Sequence, residues 1–396
     1  MANNTLIIDG ANQSLARKHN SSIILNLLRI EGALSRASLA KKMGLTRSTI
    51  SRIVSDLVEE KLVREVDLSQ GKNGRPGMLL ELDPQGGSAI GIEIGVNFIS
   101  ILLTDFTANV IWRERISMND DATSDQYLLR AEQLAHEASE IAASRHLRKM
   151  GIGVGVWGLV DNSKGVIRFA PNLKWHGIPL KEKWEGKFRV PIYLENDANA
   201  SALGEYYFGA GKNIENFLYM SMDIGVGGGI ISSGKLFRGS SGYAGEIGHM
   251  TIDPDGDLCS CGKVGCLETL VGRRVIIKRY QSKTGEGEIS LEEIIRRGML
   301  GERNAKLIFE EVAEALGLGV GNLINIFNPQ RIILGWSLGQ AYELLLPTLQ
   351  KSIRKNSLSD PLSVMDVVPY SNGADDCLLG CIALVLDEII RERISF

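Results

Sequence analysis

The sequence predicts an α/β protein, with a winged helix-turn-helix domain at its N-terminus and a larger body of two related lobes. Three observations carry this. Helical patterns followed by a hairpin with a basic, glycine-rich tip occupy residues 1–82. Beyond them, apolar strand-like runs repeatedly end in tight glycine turns. One pattern, acid-Ile-Gly-Val, occurs at Glu93–Val96 and returns 130 residues later at Asp223–Val226.

The stretch His19–Ile30, "HNSSIILNLLRI", fits a first helix with Ile23, Ile24, Leu27 and Leu28 on one face and Gly32 as its end. A short helix follows, capped by Ser35 and closed by Gly44. Thr46 then caps "RSTISRIVSDLVEEK", where Ile50, Ile53, Val54, Leu57 and Val58 recur at helical spacing. That stripe leaves Ser48, Arg52 and Ser55 pointing outward, with Arg47, Thr49 and Ser51 near the N-terminal end. Hydroxyls bond phosphates or bases, and Arg can bind guanine through two donors, so this helix start suits a major groove. The hairpin "LVREVDLSQGKNGRPGMLLEL" forms a wing whose tip carries Lys72, Arg75 and Pro76, slim and cationic as a narrow minor groove requires. Charge agrees. Residues 1–82 carry a net +4 and the remainder a net −7, a basic head on an acidic body that points to operator DNA as a partner.

At 396 residues, 44% hydrophobic and 23% charged, the chain has the composition of a globular protein with sizeable cores. No apolar run reaches the ~18 residues of a membrane span, and the N-terminus lacks the pattern of a signal peptide. A cytoplasmic protein without a membrane partner is expected. The expected boundaries are a head at 1–82, a linker at 83–88 around "DPQGG", a first lobe at 89–195 completed by a C-terminal helix at about 375–396, and a second lobe at 196–374.

The stretches "FAPNLKW", "YLENDANASALGEYYFG", "GYAGEIGHM" and "CSCGKVGCLE" resemble the ROK family of repressors, open reading frames and sugar kinases, over essentially residues 89–396. With the winged head, the chain resembles the branch of sugar-responsive repressors that includes xylose and N-acetylglucosamine regulators. The resemblance implies a two-lobed actin-like, ribonuclease-H-like body with a sugar in the interlobe cleft, and an oligomer, expected here as a homodimer or homotetramer.

Cys259, Cys261 and Cys266 fall within eight residues, with His249 ten positions before the first. Three thiolates and an imidazole complete a tetrahedral Zn2+ shell, and Gly262 and Gly265 permit the tight turns. A matching His and three Cys bind zinc in the family. Four protein ligands leave no open position, so one structural ion per chain is expected. Cys377 and Cys381 lie in an apolar helix and are expected as buried small hydrophobes.

A sugar needs carboxylates and amides that bond adjacent hydroxyls in pairs. Asn172, Asn196, Asp197, Glu246, His249 and Glu268 supply them and match the family's sugar contacts. By the same resemblance, His249 would serve both metal and sugar, and Asp197 matches the general base of the kinases. No catalytic role is assigned to it, because a carboxylate also serves sugar binding alone.

The nucleotide elements depart from the kinase pattern. A ROK kinase's first phosphate turn typically reads Asp-x-Gly-Gly-Thr; this chain has Glu93-Ile-Gly-Val-Asn97. The second typically reads Gly-Thr-Gly-x-Gly-Gly-Gly; here it is Asp223-Ile-Gly-Val-Gly-Gly-Gly229, and Trp336 stands where a further glycine is usual. A carboxylate opposes a phosphate, and phosphoryl transfer rests on positioning and positive partners. The expectation is therefore a sugar-responsive transcriptional regulator, most readily a repressor, and not an enzyme. An ATP-dependent sugar kinase with an added DNA-binding head is the alternative.

Overall fold

The computed structural model describes residues 4–67, 78–119, 121–358 and 365–392. By its contacts the chain divides into two compact units, one of residues 1–156, 163–194 and 381–396, the other of residues 157–162 and 195–380.

The first unit opens with helix α1 (Asn4–Glu31), strand β1 (Leu34–Ser35), helices α2 (Arg36–Met43) and α3 (Arg47–Glu59), and strands β2 (Val63–Asp67) and β3 (Met78–Leu82). Local chemistry sets the helix ends as expected. The Ser35 side chain accepts from the Ser38 N–H, Gly44 closes α2 in the left-handed region at φ 64°, and the Thr46 side chain accepts from the Thr49 N–H. Strands β2 and β3 pair antiparallel from Val63–Leu82 to Asp67–Met78, and β1 adds to β3, forming the wing's sheet. The wing-tip residues Lys72 and Arg75 lie outside the described residues.

Two expectations need correction. Helix α1 begins at Asn4, not His19, and its buried stripe is Ser21, Ser22, Ile24, Leu25 and Leu28, with Ile23 and Leu27 only half-buried. The helix is covered from two directions. It packs on α3 and β3, and the Ser22 hydroxyl donates to the Ile390 carbonyl of the C-terminal helix Asp376–Glu392. Arg29 lies 3.9 Å from Asp387 of that helix. In α3 the stripe ends at Leu57, and Val58 is exposed.

The rest of the chain runs β4 (Ser88–Ile94), β5 (Phe98–Asp105), β6 (Val110–Ser117), α4 (Ser124–Ser144), β7 (Lys149–Val156), β8 (Leu159–Asp161), β9 (Val166–Ala170), β10 (Trp175–Ile178), α5 (Leu180–Phe188), β11 (Ile192–Asn196) and α6 (Asp197–Phe208). It continues through β12 (Phe217–Met222), β13 (Val226–Ser232), β14 (Lys235–Leu236), α7 (Glu268–Val271), α8 (Arg273–Thr284), α9 (Leu291–Met299), α10 (Arg303–Phe327), β15 (Arg331–Gly335), α11 (Trp336–Gln340), α12 (Tyr342–Asn356) and β16 (Asp366–Pro369).

Two five-stranded sheets result, ordered β11-β7-β4-β5-β6 and β14-β13-β12-β15-β16. Each is founded on a hairpin joined by an acid-Ile-Gly-Val turn, β4–β5 in one and β12–β13 in the other, and the first hairpin strand pairs parallel with a later strand, β7 or β15. Strands β4, β5 and β12 are buried along their whole length, as their largely apolar sequences suit. Around the second sheet lies a core of Leu218, Met220, Phe309, Leu316, Ile332 and their neighbours from α8–α12. Among the described residues no helix is long and apolar enough to cross a membrane.

Helix α6 and the first turn of the C-terminal helix meet backbone to backbone. A Cβ on Gly380 would lie 1.7 Å from the Ala200 carbonyl oxygen, and one on Gly204 2.3 Å from that of Asp376. Gly380→Ala therefore forces two helices apart and is expected to lower stability by about 1–3 kcal/mol in urea unfolding. An unchanged midpoint would contradict this contact.

Candidate functional site

The expected DNA-reading side chains sit on the first turns of α3, with Arg47, Ser48 and Arg52 exposed and Thr49 and Ser51 half-buried. The hydroxyls of Ser48 and Thr49 lie 2.9 and 2.8 Å from the Thr46 hydroxyl. They thus share in the helix cap, and the two arginines are the larger groups at the surface.

In the second unit the chain turns sharply from β11 into α6, and the cap of that helix builds the site. Asn196 Oδ1 accepts from the N–H groups of Ala198 and Asn199 at 3.0 and 3.2 Å. Its Nδ2 donates to the Gly158 carbonyl at 3.1 Å and to Asp197 Oδ1 at 3.0 Å. Both ends of this amide thus have protein partners, and Asn196 holds the turn that presents Asp197. Burial raises the Asp197 carboxyl to about 7, with a further push from the negative charges of Glu246 and Asp223. Glu246 is raised too, chiefly by burial. Asn172 stands exposed on a 3-10 turn, Pro171–Leu173, of the first unit.

His249 is placed by a 3-10 turn, Ile247–His249, and its two ring nitrogens face different groups. Nδ1 is 3.6 Å from Cys259 Sγ, and Nε2 is 4.0 Å from Glu246 Oε2. Cys261 Sγ and Cys266 Sγ are 3.6 Å apart, and the ligand atoms of His249, Cys259, Cys261 and Cys266 all lie within 4.8 Å of one another. The four residues are thus positioned to hold one metal ion. Gly265 makes the approach feasible: its φ is +71°, and a Cβ there would lie 1.5 Å from the Asp253 carbonyl oxygen. Burial and the neighbouring Cys261 and Cys259 thiols push Cys266 up to about 12, as expected of thiols crowded around a cation position. Cys377 and Cys381 are buried in the C-terminal helix, well separated in sequence from this cluster.

Glu268 begins α7 and joins this knuckle to the glycine turn after β12. Its Oε2 accepts from the Val226 N–H at 3.1 Å, and its Oε1 lies 3.3 Å from the Ser260 hydroxyl, which donates to it. In the same turn, Asp223 is paired with Arg273 at 3.0 Å, and Arg273 also reaches Glu292 at 2.8 Å. Arg273 was not among the residues singled out from sequence. The signal was indirect: a carboxylate in a half-buried glycine turn requires a cation, and Arg273 heads a helix 50 positions away. Trp336 adopts φ 49°, a left-handed conformation that favours glycine, and its ring packs edge-on against Trp157 at 5.7 Å.

Together these features define a class: a winged helix-turn-helix head and a duplicated α/β body, with a cysteine-histidine cluster joined to the carboxylates of Glu246 and Glu268. Residues 89–388 match the ROK family and residues 21–64 a winged helix-turn-helix DNA-binding family. The chain belongs to the ROK family. It is 34% identical to a xylose repressor of Caldicellulosiruptor bescii over 96% of this chain and 98% of that one. A ROK family transcriptional regulator, a homolog of the E. coli MLC protein, superposes with a TM-score of 0.84 at 26% identity, covering 96% of this chain and 99% of that chain. A ROK family glucokinase from Streptomyces griseus, solved with glucose and AMPPNP, gives a TM-score of 0.66 at 30% identity, covering 75% of this chain and 99% of that chain.

The raised Asp197 carboxyl has a testable sign. Between the ordinary Asp value of about 4 and about 7, the folded state holds a proton that the unfolded state has released, so stability drains away as pH rises through that window. Asp197→Asn removes the titration. Relative to wild type, its melting temperature is expected to be higher at pH 8 than at pH 5, and equal differences at both pH values would refute the assignment.

Proposed function

We propose that this chain is a sugar-responsive transcriptional repressor of carbohydrate-utilisation genes. In this reading the head 1–82 binds operator DNA through α3 and the wing. A sugar is held by Asp197, Glu246 and His249, with Asn172, Asn196 and Glu268 contributing. The name of the xylose repressor relative supports both parts. A homodimeric or homotetrameric cytoplasmic protein fits, because paired winged helices read inverted half-sites. Sugar and operator then compete by linkage: whatever the sugar does to operator affinity, the operator does equally to sugar affinity.

The observation that carries the reading is the occupied glycine turn. Asp223 and Arg273 neutralise each other there, and the Val226 N–H already bonds Glu268. In a kinase such groups would meet phosphate. Trp336 adds a large side chain at a backbone conformation suited to glycine. One observation favours a second reading, an ATP-dependent sugar kinase: Asp197 near 7 suits a proton-accepting base. A thermal-shift panel of xylose, glucose and N-acetylglucosamine, run beside an assay for ADP release, separates them. The repressor reading expects one sugar to raise the melting temperature and weaken operator binding with no ADP formed. Sugar-dependent ADP release establishes the kinase instead.

The ion of the cluster is proposed as Zn2+ in a structural role. Zn–S of about 2.3 Å and Zn–N of about 2.0 Å put tetrahedral S···S and S···N separations at about 3.8 and 3.5 Å. The separations seen are 3.6 Å for both pairs. When bound, the ion would fix the His249 tautomer with Nε2 directed toward Glu246. Elemental analysis is expected to find one zinc per chain, and Cys266→Ser to lose it with a lower melting temperature. A metal-free wild type of equal stability would exclude the assignment.

A further inference from the structure

Glu195 precedes the α6 cap and is almost wholly buried, yet it belongs to none of the groups assigned above. Its two oxygens are divided between two segments. Oε1 accepts from the Asn196 N–H at 3.1 Å and from Asn199 Nδ2 at 3.2 Å, both at the start of α6. Oε2 accepts from Arg238 Nε at 2.7 Å. Arg238 is 43 positions away and opens the loop that ends on Glu246.

That loop is tied at both ends. The Ala244 N–H donates to the Arg238 carbonyl at 3.1 Å, closing residues 238–244 on themselves. Gly239, Gly242 and Gly245 all have positive φ, and the path depends on them. Gly245 lies against β13, where a Cβ would sit 2.3 Å from the Gly228 carbonyl oxygen and 3.8 Å from Asn199 Oδ1. Glu246 is the next residue. One buried carboxylate therefore links the helix start that carries Asn196 and Asp197 to the loop that carries Glu246.

We propose that Arg238 is a positioning residue for sugar capture, holding Glu246 at its working distance from Asp197 through the shared carboxylate of Glu195. This rests on the sugar-binding reading above. Arg238 touches no sugar in this account. Its Nε–H bond to Glu195 fixes where the loop begins, and the Gly245 contact fixes where it ends. The arrangement suits two carboxylates whose charges repel. The Glu246 charge adds to the raised protonation of Asp197, and a loop without its anchor would let Glu246 move away from Asp197 into water.

The test compares Arg238→Ala and Arg238→Lys with wild type, using whichever of D-xylose, D-glucose and N-acetylglucosamine binds wild type most tightly. Sugar affinity is measured by calorimetry well below the melting temperature of every variant. Arg238→Ala is expected to weaken sugar binding about 10- to 100-fold, the scale for groups that orient a binding residue from behind, while Lys, which keeps the charge, restores part of the loss. Sugar-free operator affinity and metal content are expected to stay at wild-type values. A purely structural ion pair would lower the melting temperature of both variants and leave sugar affinity unchanged, and that result overturns the inference. Should Arg238→Ala fail to fold, Arg238→Lys decides: wild-type affinity, without any loss, overturns it equally. If none of the three sugars binds wild type, the sugar reading falls, and this inference falls with it.

Discussion

Much of the second unit's chemistry depends on one sharp turn, from β11 into α6, held by the side chain of Asn196. The amide satisfies two N–H groups at the helix start and donates to a carbonyl and a carboxylate besides. Because a helix start leaves its first N–H groups without intrahelical partners, the cap decides where the helix begins and which residue it presents. Here it presents Asp197 half-buried and buries Glu195 almost wholly. Helix α6 then has to lie close to its neighbours. Gly229 of β13 passes Ala202 with no room for a side chain, Gly227 lies tightly against Ala198, and Gly380 meets Ala200. A helix gripped this tightly is a rigid platform for the residues at its start.

Glu268 shows how two apparently separate features become one. Its two oxygens divide between the glycine turn and the cysteine knuckle, so a disturbance of either reaches the other through a single carboxylate. His249 does the same on the opposite side, with one nitrogen toward the thiols and one toward Glu246. The knuckle is therefore bonded into one network with the glycine turn and Glu246, and is not an appendage to them. This also explains why so many of its bends pass through glycine: the chain must reverse direction repeatedly within a few residues to bring four ligand atoms together.

Features governed by neighbours in sequence were legible beforehand. Ser35, Gly44 and Thr46 mark helix ends through bonds spanning three or four residues, and the hairpins around Gly95 and Gly225 follow from apolar runs broken by glycine. Misjudged features were governed by distant partners. Leu25 displaces Leu27 in the stripe of α1 in a helix that also meets a C-terminal helix more than 350 positions away. Arg273 and Arg238 escaped notice for the same reason. An arginine in a helix or loop looks like any solvated cation until the fold sets a buried carboxylate against it, as with Glu195, or a half-buried one, as with Asp223. The candidate sugar residues were found as acids and amides near glycine, but sequence gave no hint that Asn196 spends both ends of its amide on the turn itself.

The Trp336–Trp157 pair bears on which substitutions this corner of the fold tolerates. A tryptophan in a left-handed conformation is tolerated only while its surroundings reward it, and here the reward is an edge-on contact with a second tryptophan. Trp336→Gly would relax the backbone but remove a ring contact from Trp157. Removing Trp157 first would leave the strain uncompensated. Each single change is thus opposed, although the double change need not be. Together with the Asp223–Arg273 pair, whose members also depend on each other, this locks the corner two by two: a change at one residue is resisted until its partner changes too.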